Sequence, residues 1–308
     1  LWDEVRGMGA NKELVPNDEY IEGETGSGKP NTDVWGYIDD TTSDGFIVKK
    51  GSNVASVCNA NNDDYIAWCW DAGSSTVTNN AGSIQSEVRA NTTAGFSIVS
   101  YEGTGPASAG TVAHGLGKKP DMIIAKSRDA VTNWYVWHSS STGNINTKYV
   151  LLNSNAAVNP LAGDLFATVG STTFGVEAGG NTNNQDSMIA YCWSEVPSYS
   201  KFGTWTGNGN NSQFIWMGFK PRMVMIKATN YAGNWIIVDT ARNPYNKASE
   251  ILHPDLPNIT LENSYTGFDV VSNGIVLRPD TNGNQNYNNH EYVYAAWAES
   301  PLKYSNAQ

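Results

Sequence analysis

Apolar residues along this chain fall in short runs, and almost nowhere do they recur at helical spacing. Phe96 to Tyr101, Met122 to Ala125, Trp134 to Trp137 and Ile189 to Trp193 are rich in β-branched and aromatic residues. Clusters of Asn, Gly, Pro and Ser bound them. That pattern predicts strands, the alternating ones half-buried and the wholly apolar ones at the centre of a packed sheet. Ile84 to Arg89 is the best candidate for a short helix.

The runs repeat. Lys119-Pro120-Asp121-Met122-Ile123-Ile124-Ala125-Lys126 is echoed by Lys220-Pro221-Arg222-Met223-Val224-Met225-Ile226-Lys227, and an Asn-Trp pair follows each, at Asn133-Trp134 and Asn234-Trp235. Leu1-Trp2-Asp3-Glu4-Val5-Arg6 fits Ile237-Val238-Asp239-Thr240-Ala241-Arg242, so Leu1 enters partway through a unit, and missing upstream material is the expectation. A second signature occurs three times, as Tyr65-Ile66-Ala67-Trp68-Cys69-Trp70, Met188-Ile189-Ala190-Tyr191-Cys192-Trp193 and Tyr292-Val293-Tyr294-Ala295-Ala296-Trp297. Matching turns, Ser43-Asp44-Gly45 and Ser272-Asn273-Gly274, precede apolar runs.

A unit of about a hundred residues is far longer than the roughly 20–50-residue period of a solenoid and predicts tandem domains. They are the later part of a first unit plus linker over 1–85, a second unit over 86–198 and a third over 199–308. The expected fold class is all-β, built of tandem antiparallel β-sandwiches of the jelly-roll, concanavalin-like kind.

Composition narrows the function. Nineteen basic and 30 acidic residues give a net charge of −11. That opposes a sequence-independent grip on nucleic acid and docking on anionic membranes. No apolar run approaches the roughly 18–20 residues of a membrane helix, and no signal peptide is recognisable. Charged residues are only 16% of the chain, so solubility falls to Asn, Ser, Thr and Gly, as in the tracts 181–186 and 282–289. Cys58, Cys69 and Cys192 are odd in number without CxxC spacing, which indicates neither a disulfide framework nor a zinc site.

Candidate chemistry is thin. Gly23-Glu24-Thr25-Gly26-Ser27-Gly28-Lys29-Pro30 spells most of a phosphate-binding loop but ends in proline where Ser or Thr should hold magnesium, and a polar stretch precedes it. It reads as a loop between strands. Asp280, Asn282, Asn284, Asn286, Asn288 and Glu291 have EF-hand spacing, but Gln285 stands where glycine is needed, so a solvated Asn-rich hairpin loop is expected. His114, His138, His253 and His290 are scattered, and His138 replaces the aspartate of Asp3 and Asp239.

Glu102, Asp164, Glu177, Asp186, Glu195 and Glu291 are available to a glycoside hydrolase, yet nothing in the sequence pairs them. Glu195 and Glu299, equally placed after Trp193 and Trp297, read as turn residues. Asp3/Arg6 and Asp239/Arg242 read as an ion pair or backbone-capping turn, with a polar ligand site as the alternative. Most tryptophans recur with the repeat and are expected in the core. Trp35 and Trp216 do not, and are the candidate ligand-binding residues, able to stack on a sugar. No cofactor and no metal is expected.

The stretches 114–128, 133–138, 190–209, 233–246 and 292–308 together resemble a repeat domain of marine bacteriophages, especially cyanophages, found in tail-fibre-like and other virion structural proteins. The resemblance extends over essentially the whole chain, and the ending is similar to the family's carboxyl terminus. It implies a non-enzymatic component of an external virion appendage, with recognition of the host surface as a further role, and it carries no catalytic residues. The partners it implies are other copies of the chain, often as a trimer, other virion proteins and a host surface glycan. A polysaccharide-degrading depolymerase and a non-catalytic carbohydrate-binding module are the alternatives.

Overall fold

The computed structural model describes the chain apart from residues 27–28, 31–34, 53–57, 141–148, 159–164, 211, 258–260, 263–266, 280–283 and 301–308. It is all-β, with several antiparallel sheets and, among the described residues, no α-helix. The first unit carries β1 (Glu24–Gly26), β2 (Lys29–Pro30), β3 (Tyr37–Thr41) and β4 (Phe46–Lys49). The next strands are β5 (Thr76–Asn79), β6 (Ser86–Asn91), β7 (Phe96–Glu102), β8 (Gly110–Ala113), β9 (Met122–Ser127), β10 (Tyr135–His138), β11 (Val150–Leu151), β12 (Thr173–Val176) and β13 (Ser187–Trp193). The third unit contributes β14 (Ser200–Thr206), β15 (Gln213–Trp216), β16 (Pro221–Ala228), β17 (Ile236–Asp239), β18 (Glu250–Ile251), β19 (Leu261–Glu262), β20 (Phe268–Val271), β21 (Gly274–Leu277) and β22 (Glu291–Ala298).

The runs predicted as strands at 96–101, 122–125, 134–137 and 189–193 are β7, β9, β10 and β13, each shifted by no more than two residues at an end. The helix expected at Ile84 to Arg89 does not form. Ser86 and Val88 point inward while Glu87 faces solvent, a period of two, and the segment becomes β6, hydrogen bonded to β5 and β7. β5 precedes residue 86, where the second unit was expected to begin, yet it extends that unit's sheet.

Two large sheets organise the molecule. One has seven strands in the order β11-β10-β9-β13-β7-β6-β5, and the other four in the order β14-β22-β16-β17. Because side chains alternate across a strand, each sheet has two apolar faces. One face of the seven-stranded sheet, with Val99, Tyr101, Ile123, Ala125, Tyr135 and Trp137, packs under the β8–β12 pair through Val112, Phe174 and Val176. One face of the four-stranded sheet, with Val224, Ile226, Ile236 and Val238, packs under the β15-β21-β20 sheet through Ile215, Phe268, Ile275 and Leu277.

The other faces of both large sheets meet in one shared core. Ile98, Ile124, Val136 and Tyr191 from the second unit join Phe202, Met225, Ile237 and Ala295 from the third, and Leu14 from the first. The units are therefore not beads on a string. Their common centre is marked by the three signature tryptophans, whose rings lie 5.9 Å (Trp70–Trp193), 5.2 Å (Trp70–Trp297) and 6.3 Å (Trp193–Trp297) apart, all edge-on. A repeat in sequence has become a cluster in space.

Candidate functional site

The polar residues with candidate chemistry resolve into two sets, one in the seams between units and one on an exposed edge. The seams come first, because they repeat. Trp134 Nε1 donates to the Val15 carbonyl at 3.0 Å, and Trp235 Nε1 to the Leu151 carbonyl at 2.7 Å. Glu22 N–H donates to Arg128 O and Val158 N–H to Thr229 O, both at 2.7 Å. The second unit thus grips the first as the third grips the second. The repeated Asn-Trp places an indole N–H at each seam because that tryptophan needs one polar partner when buried.

Of the two lysines ending the repeated Lys-Pro stretch, Lys227 reaches across a seam and Lys126 bonds within its own unit. Lys227 Nζ donates to the carbonyls of Asn155, Ala156 and Gly233 at 2.7–3.1 Å, crossing from the third unit to the second. Lys126 Nζ donates to Ser127 O and Ala130 O. Burial pushes both ammonium groups down to about 8. Three carbonyls around a buried ammonium satisfy all its donors.

Asp3/Arg6 and Asp239/Arg242 form the same capping turn. Asp3 Oδ1 accepts from Val5 N–H and Arg6 N–H at 3.0 and 2.9 Å, and Oδ2 accepts from Arg6 Nε at 2.5 Å. Asp239 repeats this with Ala241 N–H, Arg242 N–H and Arg242 Nε at 3.1, 3.0 and 2.6 Å. His138 fills the place in the second unit. Its Nδ1 accepts from Ser140 N–H at 3.2 Å, so Nε2 carries the proton and donates to Tyr294 O at 3.0 Å. Burial holds this imidazole down to about 4, and a neutral ring is the form that both bonds require. Tyr191 Oη donates to Asp3 Oδ2 at 2.7 Å, a further tie between first and second units.

Glu22 collects Lys12 at 3.2 Å, Arg128 at 2.5 Å and Arg6 at 3.5 Å. Burial works to raise its carboxyl, but the hydrogen bonds and charges of these cations win and lower it.

The remaining expectations also resolve into structure. The Gly23–Pro30 stretch brings β1 and β2 together as an antiparallel pair; Ser27 and Gly28 lie outside the described residues. The next described element is the strand β3, and among the described residues no helix accompanies the stretch to present amides to a phosphate.

Of the EF-hand-spaced residues, Asp280 and Asn282 lie outside the described residues. Asn286 is fully buried, and its amide is used up: Oδ1 accepts from Asn208 N–H, and Nδ2 donates to Asn210 O and Arg278 O. Asn183 does the same in the second unit, with Thr104 N–H, Ser108 O and Glu177 O. The Asn-rich tracts were expected to be solvated; each instead plants one asparagine in the interior to pin three loops. Only the repeat of a Gly before the partner loop, Gly103 and Gly207, could have signalled this. A Cβ at Gly103 would sit 1.6 Å from Asn184 O, and one at Gly207 2.3 Å from Tyr287 O.

His114 accepts from Leu116 N–H and reaches Gly170 O, and burial lowers its pKa. His253 Nδ1 meets Trp235 O at 2.5 Å. His290 stacks on Tyr231 and is tilted against Tyr287, with ring centroids at 4.4 and 4.6 Å. Glu195 pairs with Lys201 at 2.8 Å and Glu299 with Lys220 at 2.6 Å, in the connections that leave β13 and β22. Glu102 accepts from Ser187 Oγ and Asp186 from Ser127 Oγ, while Asp164 lies outside the described residues. Among the described residues no three His, Cys, Asp or Glu side chains group as a metal site.

The exposed edge is β15. Trp216 is 59% exposed and Phe214 46% exposed, and alternation puts both on one face of the strand. The Lys201 ammonium lies 5.7 Å from the Trp216 ring, a cation–π distance. Trp35 sits elsewhere, in the first unit just before β3, half-buried, with its carbonyl accepting from Cys58 N–H at 3.3 Å. No described contact joins the two rings. The two candidates are thus separate, and Trp216 offers the larger open surface. Phe214 was missed in sequence because Gln213 to Trp216 reads as an ordinary half-buried strand.

No curated protein and no solved structure matches the chain. One family model does, over residues 1–301, and it spans the repeated seams, the shared core and the β15 edge together. The chain belongs to that family, described as a domain of unknown function, DUF7483.

Proposed function

We propose that the protein is a structural, non-enzymatic component of a phage virion appendage, a tail fibre or similar external fibre. In this reading its tandem β-sandwich units, of the jelly-roll, concanavalin-like kind, serve as a scaffold. The observation that carries it is the destination of the polar side chains. Trp134, Trp235, Lys227, Tyr191 and His138 are each committed to a bond that crosses between units. A chain whose buried polar groups serve assembly of its own repeats suits a load-bearing element, and the resemblance of its repeated stretches to virion structural proteins points the same way. The working form is a symmetric homo-oligomer, a trimer by analogy with such appendages, attached to other virion proteins. Gold-labelled antibody against the chain should decorate an external appendage of purified particles; particles free of label and of the chain's peptides would refute the assignment.

Contact with a host surface glycan is a second role, favoured by one observation. Trp216 and Phe214 present exposed rings beside Lys201, a platform that can stack on a sugar. Trp35, half-buried on the first unit, is the lesser contributor. Trp216→Ala should abolish binding to host cells or their purified polysaccharide while Trp35→Ala weakens it. Unchanged binding in the double variant excludes both rings.

A further inference from the structure

One corner of the third unit carries a ring cluster with no part in the seams or the β15 edge. Tyr231, in the connection from β16 to β17, is 45% exposed, and Tyr287, shortly before β22, is 46% exposed. His290 joins them, with its ring 4.4 Å from the first and 4.6 Å from the second. The backbone beneath the rings is fixed. Asn230 Oδ1 accepts from Glu291 N–H at 2.9 Å, and its Nδ2 donates to Asn289 O at 3.2 Å. Tyr287 N–H donates to Tyr292 Oη at 3.0 Å, and Gly207 N–H to His290 O at 2.8 Å.

The second unit builds the same corner without the rings. Arg128 N–H donates to Ser187 O as Thr229 N–H donates to Glu291 O, which puts the two corners in register. Asp129 then stands where Asn230 does, and it accepts from Ser187 N–H as Asn230 accepts from Glu291 N–H. In that register Ala130 takes the place of Tyr231 and Asp186 that of His290. Asn184, next to the buried Asn183, takes the place of Tyr287, next to the buried Asn286. Small and polar residues are enough to close this corner, so folding does not account for two tyrosine rings left half in water.

We infer that Tyr231, His290 and Tyr287 form a binding site for an uncharged saccharide, distinct from the Trp216 edge. The exposed residues of the two loops, 230–232 and 287–289, include no charged side chain, although the chain carries a net charge of −11. An acidic glycan would find no cation among them. Aromatic faces suit the apolar C–H face of a sugar ring, and exposed amides such as those of Asn288 and Asn289 suit its hydroxyls. Loops already fixed by hydrogen bonds lose little freedom on binding. Lys201, which faces Trp216, lies at the start of β14, whereas Gly207, bonded to His290, follows its end. The two sites therefore sit at opposite ends of that strand, about 20 Å apart.

Saturation-transfer NMR on the full chain tests this in a Trp216→Ala background, which silences the β15 platform. The probes are cellohexaose, maltoheptaose and mannohexaose, with polygalacturonate as the charged control. Magnetisation should pass to the ring C–H protons of at least one neutral probe. Adding Tyr231→Ala and Tyr287→Asn, the residues that the second unit carries at these places, should weaken that binding about tenfold or more. The unfolding midpoint should stay where it was, as for other surface substitutions. Tyr231→Phe should bind like the parent, because the ring and not its hydroxyl makes the contact. Transfer to none of the neutral probes overturns the inference, as does transfer undiminished by the two tyrosine changes or equal for polygalacturonate. A large loss of stability would return the rings to the fold. A mass that falls by half in light scattering when they are removed would assign them to a contact between copies.

Discussion

Ile66–Trp70 and Ile189–Trp193 share their pattern of apolar residues and their final tryptophan, but not their structure. The second is an inner strand, buried throughout and hydrogen bonded on both sides. In the first, Trp68 and Trp70 pack against the shared core, Ile66 and Cys69 are exposed, and among the described residues the backbone of Ile66–Trp70 makes no hydrogen bond. A strand's sequence therefore specifies which side chains turn toward the core, and it leaves ladder formation to the neighbours. The tryptophan keeps its place in both because ring packing against Trp297 needs no backbone partner.

Four experiments would sharpen or break this contrast. The largest effect belongs to the tryptophan cluster. Trp193→Ala or Trp297→Ala should cost about 3–5 kcal/mol in denaturant unfolding, as for other buried Trp truncations. Trp70→Ala should cost less than half of that, because its strand is already half-exposed. Equal losses at all three positions would mean that the open strand is as tightly held as its counterparts.

The capping turns come next. Arg6 is completely enclosed, whereas the Arg242 side chain remains 15% exposed. Asp3→Ala takes the nearer carboxylate from a buried guanidinium, leaving Glu22 at 3.5 Å, and should cost about 3 kcal/mol. Asp239→Ala should cost visibly less, since water reaches its arginine. Removing Arg6 as well, in Asp3→Ala/Arg6→Met, should restore much of the loss; a double variant no better than the single one would show that the charge is not the cause.

His138, the odd member of the same position, gives a smaller effect that depends on pH. Its folded value of about 4 lies below the ordinary 6.5, so between those values the unfolded chain binds more protons than the folded one. The stabilisation from the neutral ring is complete above pH 6.5 and is lost as pH falls toward 4. His138→Asn keeps an acceptor for Ser140 and should flatten the stability profile across that window. A profile as steep as that of the parent would place the acid sensitivity in another group. The smallest effect is Trp216→Ala, expected within about 0.5 kcal/mol because the ring is mostly in water.

Much of this was legible in the residues. The all-β class follows from apolar runs bounded by turn residues, and the position of each repeated tryptophan and lysine follows from the repeat itself. Recurrence of Asp3/Arg6 as Asp239/Arg242 was enough to expect a capping turn, because a carboxylate three residues before an arginine can accept from both its amide and its guanidinium. Other features were not legible. Asn183 and Asn286 look like their solvated neighbours, and only loops distant in sequence select them for burial. Ile84 to Arg89 is too short for its period to be decided before β5 and β7 are placed beside it.

By itself, the sequence determined the strand-forming segments, their inward faces and the existence of three related units, because alternation and repetition are local properties of the chain. Tertiary structure alone decided that the units share one core and that Trp70, Trp193 and Trp297 meet there. Those outcomes depend on which apolar faces remain uncovered after each unit has folded. A face without a partner in its own unit is buried only by finding one in another.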